Sequence, residues 1–190
     1  MDPLFRYHSY LLDRSIFGFF YRKFFLYKII NLSCFGKVLD IGCGIGDFLK
    51  SRPNTVGVDI NPYNIEYCIN IGLNAHHAEP GVLPFESASF DTILLDNVLE
   101  HISDPTELCK EIKRVLKING RLIVGIPGLK GYSSDPDHCV NYSKEGLLKL
   151  FSNYGFVFKK QFSTPSIVAS DYLSKNSKRY CVYYLLDLVL

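Results

Sequence analysis

The chain has 190 residues, enough for one domain with its own core. Apolar residues make up 47% and charged residues 21%, which excludes wholesale disorder, and a net charge of +2 is too small to argue for a nucleic-acid partner. The six cysteines (34, 43, 68, 109, 139 and 181) form no C-x-x-C pair, so zinc ribbons and redox dithiols are disfavoured and a reduced, cytoplasmic setting is expected.

Residues 4–32 are crowded with aromatics, and their few charges are mostly basic (Arg14, Arg22, Lys23, Lys28). No cationic leader with a cleavage site precedes them, so no signal peptide is read. No stretch reaches the roughly 18 apolar residues of a spanning helix. Ser9 to Ile30 lacks proline and predicts one or two helices, with Gly18 as a break. Lys37 to Ile41 predicts a first strand. A turn with glycines at 42, 44 and 46 follows, then a helix with Asp47 in its first turn. Thr55 to Asp59 predicts a second strand. Asn61 and Pro62 open a helix that Gly72 ends. Asn74 to Ala78 and Phe90 to Leu95 predict two more strands, the latter a continuous apolar run of the kind parallel sheets bury.

Asp104 and Pro105 start a helix expected to run to Asn119-Gly120, and Arg121 to Ile126 predicts the fifth strand. Ser143 caps a helix to Phe151, and Phe156 to Phe162 predicts a sixth strand. No convincing seventh strand follows unless Tyr180 to Leu190 supplies it, so the chain is read as shortened. Strands alternating with helices predict an α/β, doubly wound, mostly parallel sheet with right-handed crossovers. The expected organisation is an aromatic helical cap or lid at 1–35, a cofactor-binding core at 36–165 and an apolar extension at 166–190.

A dinucleotide fingerprint would place its third glycine at 47, where Asp47 instead directs a negative charge toward the site of a pyrophosphate. The Gly-Lys-Ser/Thr of a phosphate-binding P-loop is absent. A cofactor without phosphates fits better, and S-adenosylmethionine is the obvious one. Asp40, at the end of the first strand, would favour its ammonium and sulfonium, and Asp59 would accept from the ribose hydroxyls.

The blocks VLDIGCGIGDFL, VGVDI, LPFESASFDTILLDNVLEHI and LKINGRLIVGIP, in this order, resemble the class I S-adenosylmethionine-dependent methyltransferases. The resemblance is to the small-molecule subgroup related to the ubiquinone, menaquinone and glycan-cluster enzymes, and it covers roughly residues 36–165. It implies a Rossmann-like methyltransferase fold. It also implies that Asp40, Gly42, Cys43 and Gly44 line the methionine end, with Gly46 at the helix entry. Asp59 and Ile60 are implied to hold the ribose and one adenine face, and Asp96 and Asn97 to meet the amino-acid tail. Where the family often has an acid for the adenine amino group, this chain has His77-Ala78-Glu79, so the Ala78 N–H or the Glu79 side chain is the expected substitute.

Methyl transfer from a sulfonium is an in-line displacement needing no metal, and a histidine base would assist a hydroxyl acceptor. His101 and His138 are the candidates, weighed against a capping or packing role. The Asp135-x-Asp137-His138 run reads more simply as a turn than as a metal cluster, and no metal is expected. The main expectation is methyl transfer to a small-molecule, sugar or lipid-linked acceptor, oxygen favoured, releasing S-adenosylhomocysteine. The rival is a catalytically idle binder of S-adenosylmethionine or S-adenosylhomocysteine, and a distant third is an NAD-binding dehydrogenase domain. Asp96-Asn97-Val98-Leu99 replaces the Asn/Asp-Pro-Pro-Tyr run of amino-group nucleic-acid methylation, so no nucleic-acid partner is expected. Peripheral membrane contact through residues 9–32 and 178–190, and a monomer or homodimer, complete the expectations.

Overall fold

The computed structural model describes residues 2–189. Three helical pieces open the chain: α1 (Pro3–Leu12), α2 (Ile16–Tyr21) and, after a π-helical turn at Arg22–Leu26, α3 (Tyr27–Ser33). The break falls at Asp13–Ser15 rather than at the expected Gly18. The Ser15 hydroxyl accepts from the Gly18 N–H at 3.2 Å and starts a new helix around that glycine.

Seven strands follow: β1 (Val38–Ile41), β2 (Thr55–Asp59), β3 (Ala75–His77), β4 (Phe90–Asp96), β5 (Leu116–Pro127), β6 (Phe156–Thr164) and β7 (Cys181–Leu188). Between them lie α4 (Pro62–Asn70), α5 (Thr106–Val115), the short α6 (Leu129–Tyr132), α7 (Lys144–Ser152) and α8 (Asp171–Asn176). The sheet order is β3-β2-β1-β4-β5-β7-β6, with β7 antiparallel to both neighbours and the other pairings parallel. The doubly wound α/β expectation therefore holds.

Three expectations are corrected. The seventh strand exists and is interior, so part of the segment 166–190 is sheet rather than an extension. It reads as a featureless apolar run because both of its faces are buried, with Tyr183 to Leu186 all buried. Its one charge, Asp187, meets its cross-strand partner Arg121 at 2.9 Å. The helix expected after the glycines is absent: turns and one 3-10 turn at Leu49–Ser51 fill the interval, since only eight residues separate Gly46 from Thr55. Finally, α5 stops at Val115, and Asn119, left-handed at φ 63°, lies within the irregular start of β5.

Side chains alternate between two cores. Leu39, Ile93, Leu95, Leu122, Val124 and Leu186 face α5 and α7, packing on Leu108, Ile112, Leu147 and Phe151. Val38, Leu94, Ile123, Tyr183 and Leu185 face the opposite way and meet Leu26, Tyr27 and Ile30. Residues 26–30, expected within a cap, are thus part of a core layer of the sheet. Among the described residues, no helix is long and apolar enough to cross a membrane.

Candidate active site

The strand order reverses between β1 and β4, and in open α/β sheets ligands bind outside the carboxyl ends of the strands at such a point. A cavity of about 620 Å³ opens there. Its walls include Asp40, Gly42, Cys43 and Gly44 from β1 and its turn, Asp59 from β2, and Asp96 and Asn97 from β4. His101 and His138 line it further out, and Tyr7, Tyr10, Leu11 and Arg14 come from the N-terminal helices.

The turn after β1 is tied to β2. The Gly42 and Cys43 N–H groups both donate to the Val58 carbonyl, at 2.8 and 3.0 Å. Gly42 has φ +74°, and a Cβ there would lie 2.5 Å from a Val98 methyl, so both conformation and space demand glycine. At Gly44 (φ +53°) a Cβ would meet only Leu11, at 3.3 Å, which is where the cap closes over the turn.

Three of the carboxylates lining the cavity stand at the ends of neighbouring strands. Asp40 is 4% exposed and accepts no hydrogen bond among the described residues. Burial, then the nearby Asp96 and Asp59, push its carboxyl well above the ordinary range. Asp59 accepts from the Gly44 N–H on one oxygen and from the Asn61 N–H on the other, each at 2.8 Å, while burial still raises its carboxyl. Asp96 accepts from the Tyr183 hydroxyl at 2.7 Å and from Asn97 Nδ2 at 2.9 Å; burial raises it too, against the lowering from these donors. A buried acid without a partner is costly unless a donor or cation arrives. The three together suit a cationic, phosphate-free ligand, so the residues present fit the ammonium and sulfonium of S-adenosylmethionine.

Four expected cofactor residues lie away from the cavity wall. Gly46 (φ +74°) packs beneath the turn, where a Cβ would strike Leu73 at 2.4 Å. Ile60 is 53% exposed just beyond β2. The Ala78 N–H donates to the Asp59 carbonyl at 3.1 Å, so it is not free for an adenine, and Glu79 is exposed. His77 Nε2 sits 3.1 Å from the Ile60 carbonyl. Asp47 also differs from its reading. Its carboxylate is held by Arg14 (3.5 Å), Arg22 (3.3 Å) and Lys50 (3.8 Å), so it latches the cap and presents no free charge to a ligand. The case against a diphosphate rests instead on Asp40, Asp59 and Asp96.

At the outer end, the His101 and His138 rings lie 4.6 Å apart, edge to face. His138 Nδ1 is 2.9 Å from the Tyr132 carbonyl, and His101 Nδ1 is 3.2 Å from that of Asp137. Each imidazole therefore donates from Nδ1 and keeps a lone pair at Nε2. Burial, then His138, lowers the His101 pKa, favouring its neutral form. Beside them Glu100 is 1% exposed, its carboxyl raised by burial to about 8 against a lowering from its own backbone N–H.

Sequence reasoning missed Glu100, Tyr183, Arg14 and Arg22. Glu100 is hidden between apolar Leu99 and Ile102, and Tyr183 within an apolar strand. The arginines look like surface charge until Asp47 is placed beside them.

Residues 39–124 match the family model described as a methyltransferase domain. The chain is 31% identical over 119 residues to the ubiquinone/menaquinone biosynthesis C-methyltransferase UbiE of Haemophilus ducreyi, covering 52% of this chain and 46% of that one. It is 36% identical over 92 residues to probable tRNA methyltransferase 9B of Homo sapiens, covering 46% and 20%. The aligned stretch spans less than half the length of these relatives. A solved S-adenosylmethionine-dependent methyltransferase of Thermotoga maritima superposes with a TM-score of 0.75 at 19% identity, covering 98% of this chain and 99% of that one. The family match falls on the strands and turn that floor the cavity, and the agreement in fold with the solved S-adenosylmethionine-dependent methyltransferase runs through β7.

Proposed function

We propose that this protein transfers a methyl group from S-adenosylmethionine to an oxygen of a small-molecule, sugar or lipid-linked acceptor. The observation that carries this reading is the convergence of Asp40, Asp59 and Asp96 on one cavity with His101 and His138 at its outer end. When bound, S-adenosylmethionine supplies an electrophilic methyl on a sulfonium.

The chain's own residues do the rest. Asp40, with Gly42, Cys43 and Gly44, receives the cationic methionine end. Asp59 has lone pairs left for the ribose hydroxyls. Asp96 and Asn97, oriented by Tyr183, take the amino-acid tail. Holding nucleophile and methyl in line supplies roughly 7–11 kcal/mol of the barrier reduction. His101 and His138, each with an Nε2 lone pair, receive the acceptor's hydroxyl proton, an effect of about 100- to 10,000-fold. The cap screens the cavity from water, with Leu11 over Gly44 and Arg14 and Arg22 on Asp47.

Calorimetry with S-adenosylhomocysteine and NAD tests the cofactor. Only the former is expected to bind, and Asp59→Ala is expected to weaken it by about 100-fold or more, the loss of two hydrogen bonds to a charged group. Labelled methyl transfer into a cell extract tests the enzyme, with the label expected in small-molecule or lipid fractions. Tight binding with no labelled product would favour the idle binder. Label in tRNA would favour a nucleic-acid acceptor, the reading suggested by the similarity to probable tRNA methyltransferase 9B.

The exposed aromatics of the cap support a peripheral membrane setting within the cytoplasm. Ile16 is 73% and Phe17 80% exposed, and the Lys23 ammonium lies 5.4 Å over the Phe19 ring and 5.5 Å over that of Phe24. Large apolar groups beside cations suit a headgroup boundary. Co-flotation with anionic vesicles is expected, reduced by Phe17→Ser with Phe24→Ser. Flotation unchanged by the pair would remove the membrane from the proposal.

A further inference from the structure

We propose that Glu100, His101 and His138 form a binding site for one divalent first-row transition cation, facing the acceptor end of the cavity. One ligand atom from each lies within 4.8 Å of the others. His138 Nε2 is 3.8 Å from Glu100 Oε1 and 3.9 Å from Asp135 Oδ2. An ion about 2.1 Å from each ligand would hold neighbours roughly 3.0–3.4 Å apart, so small side-chain rotations close the set.

Two independent observations point to a ligand. Neither carboxylate oxygen of Glu100 has a hydrogen-bond partner in another residue, although the side chain is 1% exposed. Such a group is expensive to leave bare, and a cation facing it removes the cost. Both histidines, moreover, are engaged through Nδ1 by backbone carbonyls, those of Tyr132 and Asp137. That contact fixes the ring tautomer with Nε2 as donor of the lone pair, the usual support behind a metal-bound imidazole. Two imidazoles and one carboxylate with open positions suit zinc or iron better than magnesium or calcium, which prefer oxygen sets. This revises the expectation of no metal, which rested on sequence spacing and never weighed Glu100.

The inference deepens the proposed function and rests on it for its purpose. An acceptor hydroxyl on the ion would lose its proton more readily, so the two imidazoles would act through the ion rather than as free bases. The binding itself does not depend on that reading.

The test is cobalt(II) titration of the full chain after treatment with a chelator. One equivalent is expected to bind with visible d–d absorption showing nitrogen ligation, and zinc(II) is expected to displace it. E100Q, H101Q and H138Q are each expected to weaken binding by more than about tenfold, while C139S, changing the neighbouring exposed thiol, leaves it unchanged. S-adenosylhomocysteine binding is expected to persist in all four variants. The inference is overturned if the wild type shows no nitrogen-ligated cobalt, a result that needs no variant to fold. It is equally overturned if folded H101Q and H138Q bind as the wild type does. A wild-type chain that binds S-adenosylhomocysteine but no cobalt sinks this site alone, and a wild-type chain that binds cobalt but no S-adenosylhomocysteine sinks the proposed function alone.

Discussion

Asp40 shows how one side chain can trade stability for binding. Its carboxyl is raised well above the ordinary 3.8 by burial and by Asp96 and Asp59. A group raised in the folded state contributes stability that is complete below its unfolded value and is lost as pH climbs through the folded one. Ligand-free Asp40→Asn should therefore melt higher than wild type at pH 7, the advantage shrinking toward pH 4 in calorimetric scans. The same variant should bind S-adenosylhomocysteine at least tenfold more weakly, about 1.5–3 kcal/mol for one bond to a charged group. A variant less stable than wild type at pH 7 would mean that the carboxylate already has a partner in the ligand-free protein. The positions of Asp40, Asp59, Gly42 and Gly44 at the strand ends and turn were legible in the sequence because strand, turn and strand-end acid are local features. Tyr183 was not: it lies 87 residues from Asp96, and its role exists only once β7 is seated.

At the level of elements, the cap is held by few contacts. Asn61 Nδ2 donates to the Leu4 carbonyl at 2.8 Å, joining α1 to α4, and Asp47 gathers Arg14, Arg22 and Lys50. Asp47 is only 11% exposed, so the Arg22 pair is worth about 1 kcal/mol, the upper end for such contacts. Arg22→Ala is expected to speed tryptic cleavage at the exposed Lys23 and Lys28 without changing the global melting transition by more than a few degrees. Cleavage at the wild-type rate would show that apolar packing alone docks the segment. The strands and helices with clear caps or apolar runs, such as α4 and β4, were readable in advance. The missing helix after the glycines was not, because composition does not reveal that eight residues must cross from one strand to the next.

For the whole molecule, the order β5-β7-β6 means that removing residues 177–190 should leave β6 without its pairing to β7 and Leu122, Ile123 and Val124 without cover on one edge. Such a chain is expected to lose its cooperative thermal transition rather than shift it by a few degrees; a truncated form melting cooperatively near the wild-type temperature would show that the five parallel strands suffice. The fold class was evident from alternation alone, yet the strand that completes it was hidden, since a strand buried on both faces carries no alternation to read.

The hydroxyl that Tyr183 lends to Asp96 has a kinetic consequence. β7 also finishes one wall of the ligand chamber, so docking of that strand and occupancy of the chamber are thermodynamically linked. Saturation with S-adenosylhomocysteine should slow amide-proton exchange along residues 181–188 far beyond the residues it touches, while the outward-facing helices exchange as before.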